Sequence, residues 1–416
     1  MSMTLQKSKL WESLPLPQGP LAGLQSKARK SLESIGFPVS SEEAWRLTDL
    51  KLIEEIFNFS ALSRSSNLHH VKEFAMPSPP KDGFRLALYP GLDPLSLRPL
   101  PDGFSLLDSS ELEKTLGRTL KRCGCSQDWP VILNNSCTDN VLALRVKGSD
   151  LPSLELVLQG FSGELASSRV ILLLEENTQL NLLQVCLGLD QSAHSHLIEI
   201  FVGCNASLNH EWLALGGGEA SCLANIAIEQ EPQSEYALTC VQQGWSFSRL
   251  EPYIVQLGGR ANTKLRGLQV ADHGNQISTN SKIRFDGPEG HLHQIQKGIA
   301  AGTSHSIFNG SIEVPQAAQR TNAAQLSRNL LLSNRARIDA KPELKIIADD
   351  VKCTHGATVT QLQEEELFYM LSRGIGQTDA TKLLLKGFCQ EITYSLPISA
   401  GRWKVLDQVL KNLRVE

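Results

Sequence analysis

Aromatic side chains make up only 6% of the 416 residues, too few to line a stacking groove for sugars or bases. Neither sign of charge dominates. The net charge is -4 and no basic run carries interleaved aromatics, so nucleic acid is not an expected partner. Cys-x-x-Cys is absent, and nine cysteines, odd in number and scattered, argue against a disulfide framework and for a reducing compartment. The one close pair, Cys123 and Cys125, reads as two free thiols in a loop, because no further ligand stands near them in sequence. No apolar run approaches the length of a membrane span, Val170 to Leu174 being among the longest, so no membrane association is expected. Residues 1–18 hold no apolar stretch followed by a cleavage site and no Arg, which leads to the expectation of a cytoplasmic protein. The motifs G-x-x-x-x-G-K-[ST], G-x-S-x-G and H-E-x-x-H are missing as well, so no nucleotide is expected on this chain.

From about residue 130 the chain is a succession of short apolar segments separated by Gly, Asn and Ser, with no helical pattern between them until past residue 360. That texture excludes a βαβ sheet and leaves an antiparallel sandwich, a barrel or a stacked β-helix. Antiparallel neighbours are joined by tight Asn-Gly or Asp-Gly turns, and only Asn309-Gly310 and Asp286-Gly287 qualify. Their scarcity favours stacked coils, although no strict repeat period is visible. The triple glycine Gly216–Gly218 reads as a turn between strands.

Helical patterns flank this region. Leu21, Leu24, Ala28, Leu32 and Ile35 make one stripe, and Ser40 with Glu43 offers a capping box ahead of a second stripe through Trp45, Ile53 and Phe57. Prolines cluster between Pro77 and Pro101, as in a linker laid on a surface. Toward the end, Glu364–Glu366 favour a helix start, Gly374 a stop, and Thr378 a cap for a stripe through Ala380, Leu383, Leu384 and Phe388. A last stripe holds Leu406, Val409, Leu410 and Leu413.

Potential ligands come in pairs. In an extended chain residues two apart share a face, so Cys353 and His355 look one way and Thr354 the other. Two ligands do not complete a structural zinc site, and a nucleophilic cysteine needs a base oriented by a third group. A metal edge, a catalytic pair and a buried strand end all stay open. His291 with His293 and His194 with His196 repeat the geometry. Asp349 and Asp350, being adjacent, face opposite ways and suit a turn or a solvated edge.

The stretch from Asn309 to Ile375 closely resembles the C-terminal core of the SufB/SufD scaffold family of the Suf iron-sulfur cluster assembly system. The resemblance is carried by Gln319-Arg320-Thr321, Asn329 to Ser333, Lys341-Pro342-Glu343-Leu344, Asp349 to Thr358, Phe368-Tyr369 and Ser372 to Ile375. Trp45, Arg46, Thr48 and Asp49 are similar to an N-terminal element of the same family. Within it, the lack of further N-terminal cysteines and the run Cys353, His355, Gly356, Ala357, Thr358 look like the SufD branch.

The resemblance implies a mainly β fold: a right-handed parallel β-helix core, about 101–355, between helical domains at about 1–100 and 356–416. It implies a non-enzymatic scaffold subunit that pairs with a SufB-like chain through the β-helix. A SufC-like ABC ATPase would bind the C-terminal helices, with Leu367, Tyr369, Arg373, Leu383, Leu384 and Phe388 as docking residues. Cys353 and His355 would then be a half-site for a transient iron-sulfur cluster, completed by the partner, and the isolated chain could pair with itself. Two other readings remain: a β-helix enzyme acting on polysaccharide, and a stable zinc protein using His291, His293, Cys353 and His355.

Overall fold

The computed structural model describes residues 8–17, 19–61, 76–89, 95 and 99–413. Helices α1 (Lys9–Ser13), α2 (Ala22–Ile35) and α3 (Leu50–Ile56) open the chain, followed by strands β1 (Ser60–Ala61), β2 (Gly83–Leu88) and β3 (Phe104–Leu106). Helices α4 (Ser109–Thr115), α5 (Arg118–Cys123) and α6 (Trp129–Cys137) come next. The solenoid strands are β4 (Leu142–Val146), β5 (Ser153–Gln159), β6 (Glu164–Leu174), β7 (Gln179–Leu187), β8 (Ala193–Val202), β9 (Ser207–Leu215), β10 (Ser221–Gln230), β11 (Glu235–Gln243) and β12 (Phe247–Gln256). They continue as β13 (Asn262–Ala271), β14 (Gln276–Phe285), β15 (His291–Ala300), β16 (His305–Val314), β17 (Asn322–Leu331), β18 (Arg337–Ile346) and β19 (Lys352–Gln361). Helices α7 (Glu364–Ser372), α8 (Gln377–Thr393), α9 (Ile398–Gly401) and α10 (Val405–Asn412) close the chain.

From β4 onward the chain alternates between two sheets, even-numbered strands in one and odd-numbered in the other. Every pairing among these strands is parallel, which makes a β-solenoid of about eight turns. Alternation of side chains across each strand puts every second residue inside, where it stacks on its counterpart in the next turn. One inner column runs Leu180, Leu208, Tyr236, Thr263, Leu292, Ala323, Cys353. One corner recurs through Asn177, Asn205, Gln233, Arg260, Glu289 and Arg320, all left-handed, at intervals of 27 to 31 residues. Such conformations are unfavourable for residues with a Cβ. Each of these N–H groups donates to a carbonyl one turn on, from Asn177 to Cys204 through Arg320 to Asp350, which offsets the cost. The uneven corner lengths explain why no strict period is readable in the sequence.

Asn309-Gly310 is not a hairpin turn but the middle of β16, whereas Asp286-Gly287 does sit at a corner between β14 and β15. The proline-rich stretch is not only a linker: β2 lies within it and pairs with β5, while Pro90 and Pro94 fall outside the described residues. Ser40 caps nothing. A short turn at Glu43–Trp45 intervenes, and α3 starts anew with Asp49 accepting from the Lys51 N–H. A true capping box forms instead between Asp108 and Glu111. The expected boundary at 355 falls inside β19, which runs to Gln361.

Helices cover the outer faces. On the even sheet, the buried Glu199 carboxylate accepts from Arg169 at 2.5 Å and from the Gly117 and Leu120 N–H groups, fastening α5. Trp45 lies under the Arg249 guanidinium at 4.1 Å and edge-on to Trp129, so the N-terminal element is an anchor to this sheet. On the odd sheet, Leu385, Cys389 and Ile392 of α8 and Val409 of α10 pack against Leu213, Val241, Leu268 and Ile299. Lys297 stands below α8, buried, donating to the Phe388 carbonyl at 2.9 Å and paired with Glu391. Among the described residues, no helix is long and apolar enough to cross a membrane.

Candidate functional site

Among the described residues, the last turn of the solenoid has no further strand beyond it: β18 ends one sheet and β19 the other. Its inward residues therefore close the core on one side only. Leu344, Val351 and Cys353 pack partly buried on the aliphatic column, while Ile346 is 40%, Ile347 58% and Val359 44% exposed. Both strands also offer unpaired backbone edges, which are templates for another strand.

Cys353 and His355 stand on this turn. In register with Ala323 and with Gln325, both buried inward residues, they face the solenoid interior, and exposed Thr354 faces out. The alternation expected from sequence is realised. Burial raises the Cys353 thiol above its ordinary value, and a backbone hydrogen bond at Ala323 acts the other way. His355 is exposed at the mouth. Among the described residues no group of three or more His, Cys, Asp or Glu side chains is arranged to hold a metal ion. A thiol and an imidazole on one face are a fitting pair of donors for iron, and they are two donors short.

The other pairs go elsewhere. His291 and His293, in register with Lys352 and Thr354, lie on the outer face of the odd sheet, opposite to Cys353 and His355. A zinc site from those four is thereby corrected, since a sheet separates the two pairs. His194 and His196 are buried inside, His196 between Ser168 at 2.7 Å and Gln184 at 3.1 Å. Cys123 and Cys125 are buried, Cys123 at the end of α5 rather than in a loop, with Sγ donating to the Ile228 carbonyl at 3.4 Å. Asp349 and Asp350 form the exposed turn into β19, where Asp349 accepts from Gln316 at 3.0 Å.

The C-terminal helices present a second surface. Helix α7 has no buried residue although it holds Leu367, Phe368, Tyr369, Met370 and Leu371. Phe368 and Leu371 are exposed with Tyr369, whose ring carries Arg373 at 5.2 Å. On α8 the buried residues are Ala380, Thr381, Leu385, Cys389 and Ile392, capped by Gly376 and not by Thr378. The face is thus rotated from the expected stripe. Leu383 points out, Leu384 is half-buried, and Phe388 is packed over Lys297 at 4.2 Å. Apolar periodicity tracks what a helix buries in its own domain, so it does not single out Phe368 and Leu371 on a helix that buries nothing.

Comparison with known proteins follows the same lines. Residues 157–388 match the family described as SUF system FeS cluster assembly, SufBD core domain. An iron-sulfur cluster assembly SufBD family protein of Synechocystis is 30% identical over 91% of this chain and 88% of its own length. The chloroplastic protein ABCI7 of Arabidopsis thaliana is 30% identical over 91% of this chain and 83% of its own. The iron-sulfur cluster assembly protein SufD of Escherichia coli is 29% identical over 68% of this chain and 69% of its own. With its solenoid, its two-donor terminal turn and more than half its length within the matched core, the chain belongs to the SufB/SufD family of iron-sulfur cluster assembly proteins.

Proposed function

We propose that this chain is a scaffold subunit on which nascent iron-sulfur cluster is built at a shared interface. Its open solenoid end pairs with a SufB-like chain, and Cys353 and His355 supply half of the ligands to the cluster in transit. The observation that carries this reading is the placing of exactly two iron-type donors on the inner face of an uncovered terminal strand. Exposed apolar residues at Ile346, Ile347 and Val359 favour closure by another β-edge, the mode in which backbone bonds give affinity and side-chain pockets give choice. The cluster is cargo. Thiolate and imidazole would bind its iron while the partner's donors complete the coordination, and parting of the two chains would open iron positions for an acceptor's thiolates, which then displace Cys353 and His355. The chain has no P-loop, so ATP hydrolysis is assigned to a SufC-like subunit seated on the exposed apolar side of α7 and α8.

The test is iron and acid-labile sulfide in anaerobically purified, co-expressed complex, for the unaltered chain, Cys353→Ala and His355→Ala. Loss of both with intact assembly is the expected result; unchanged content moves the chemistry to the partner and sinks the half-site. For docking, Phe368→Ser with Leu383→Ser should release the ATPase and leave the SufB-like chain bound. Retention of the ATPase would overturn that assignment.

A further inference from the structure

A line of amides crosses the solenoid interior and ends under His355. Ser281 Oγ accepts from Gln294 Nε2 at 2.8 Å, and Gln294 Oε1 accepts from Gln325 Nε2 at 2.8 Å. Gln325 is 2% exposed, and its Oε1 has no hydrogen-bond partner. Buried acceptors left in this state are uncommon and call for an explanation. Space has been made for the side chain: a Cβ at Gly310, across the interior in mid-strand, would run into Gln325 Nε2. Glycine weakens a strand interior, and here a close approach accounts for it.

His355 is the residue directly opposite Gln325 in the next turn, one strand spacing of about 4.8 Å away. One N–H of the Gln325 amide is held by Gln294 on the turn below, and the unpartnered Oε1 is the acceptor left for the turn above. A metal-binding histidine characteristically donates its second ring N–H to such an oxygen, which fixes the tautomer and aims the other nitrogen's lone pair. We propose that Gln325 is the positioning residue for His355, accepting one imidazole N–H so that the remaining ring nitrogen turns a lone pair out of the open end toward arriving iron. This rests on the reading of His355 as an iron donor. The chain from Ser281 through Gln294 supports the contact from below, because each amide orients the next.

The experiment is nitrogen NMR of the isolated full chain with ¹⁵N-labelled histidine at about pH 8. A His355→Asn spectrum assigns the signals, and thermal unfolding confirms that each variant folds. In the unaltered chain the two ring nitrogens of His355 should be widely separated, one protonated and one bare. Gln325→Met, similar in length but without the acceptor, should draw them together, and Gln325→Glu, which keeps an acceptor, should hold them apart. Equal spectra for Gln and Met, or nitrogens already merged in the unaltered chain, overturn the proposal. A second arm measures iron in the co-expressed complex, where Gln325→Met should lose about tenfold and Gln325→Glu recover most of it. Unchanged iron beside the expected NMR shift would overturn the positioning role and leave the contact standing, whereas unchanged iron in His355→Ala would overturn the donor reading on which it rests.

Discussion

Deep in the solenoid, Gln184 serves two histidines at once. Its Nε2 donates to His196 Nε2 at 3.1 Å, and its Oε1 accepts from His210 Nε2 at 2.8 Å. His196 Nδ1 meets Ser168 Oγ at 2.7 Å and His210 Nδ1 meets the Tyr236 hydroxyl at 3.0 Å, so His196 is satisfied only as a neutral ring, its Nε2 facing an amide N–H, and neutral His210 is satisfied beside it. Burial depresses His194 to about 4 and both His196 and His210 to about 3. Below the ordinary histidine value of 6.5 the unfolded chain takes up protons that the folded chain refuses, so stability is full above that pH and falls beneath it. The loss should be roughly 1 kcal/mol per pH unit per histidine, read as the urea midpoint at about pH 7 against about pH 5. A flat profile would mean the rings are hydrated. Gln184→Leu strands two buried ring nitrogens, and should cost on the order of 2 kcal/mol at neutral pH by the same measurement.

Among the elements, α8 depends on one buried cation. Lys297 Nζ gives the Phe388 carbonyl its partner and pairs with Glu391, which Arg328 also approaches at 3.6 Å. Lys297→Met keeps the stem and removes the charge. Hydrogen exchange in α8 should then quicken by the equivalent of roughly 1–3 kcal/mol while the strands keep their protection; unchanged exchange in α8 would deny Lys297 this role. The same helix marks the limit of reading from sequence. Apolar periodicity locates α8 and places Ala380 on its buried face, but Leu383, Leu384 and Phe388 of the same stripe give way to Leu385, Cys389 and Ile392 in the structure. The apolar arc of α8 is wider than the face it buries, with Asp379, Lys382, Lys386 and Gln390 on the remaining side, so only its neighbours choose which part of the arc is covered. The strands were legible because turn residues punctuate them. Their stacking was legible in the scarcity of Asn-Gly and Asp-Gly turns and in the family resemblance, whereas the repeat period was not, since the corners vary in length. At the site, alternation alone put Cys353 and His355 on one face. That Gln325 stands opposite His355 depends on a register spanning a turn of the solenoid, which spacing cannot disclose.

At the scale of the molecule the two solenoid ends are treated differently. The first is finished by β3, antiparallel to β4, and by β2 from the proline-rich stretch. The second ends on β18 and β19 with Ile346, Ile347 and Val359 in solvent. Native proteins block an exposed edge with charge, Pro or a cover; β18 carries Pro342 and alternating charges, whereas β19 beyond Lys352 has neither, so β19 is the freer edge. Such an end associates when nothing competes, and a stable contact needs about 1,600 Å² in total, of which the cross-section of a solenoid supplies a large part. The isolated chain should therefore sediment as a concentration-dependent dimer joined end to end. Ile347→Glu with Val359→Lys should return it to monomer without lowering its unfolding temperature, because neither side chain is buried in the folded chain. Adding a SufB-like chain should displace the self-pair, since both claims fall on the same strands. A dimer indifferent to these two substitutions would locate self-association elsewhere and take the open end out of the argument for pairing.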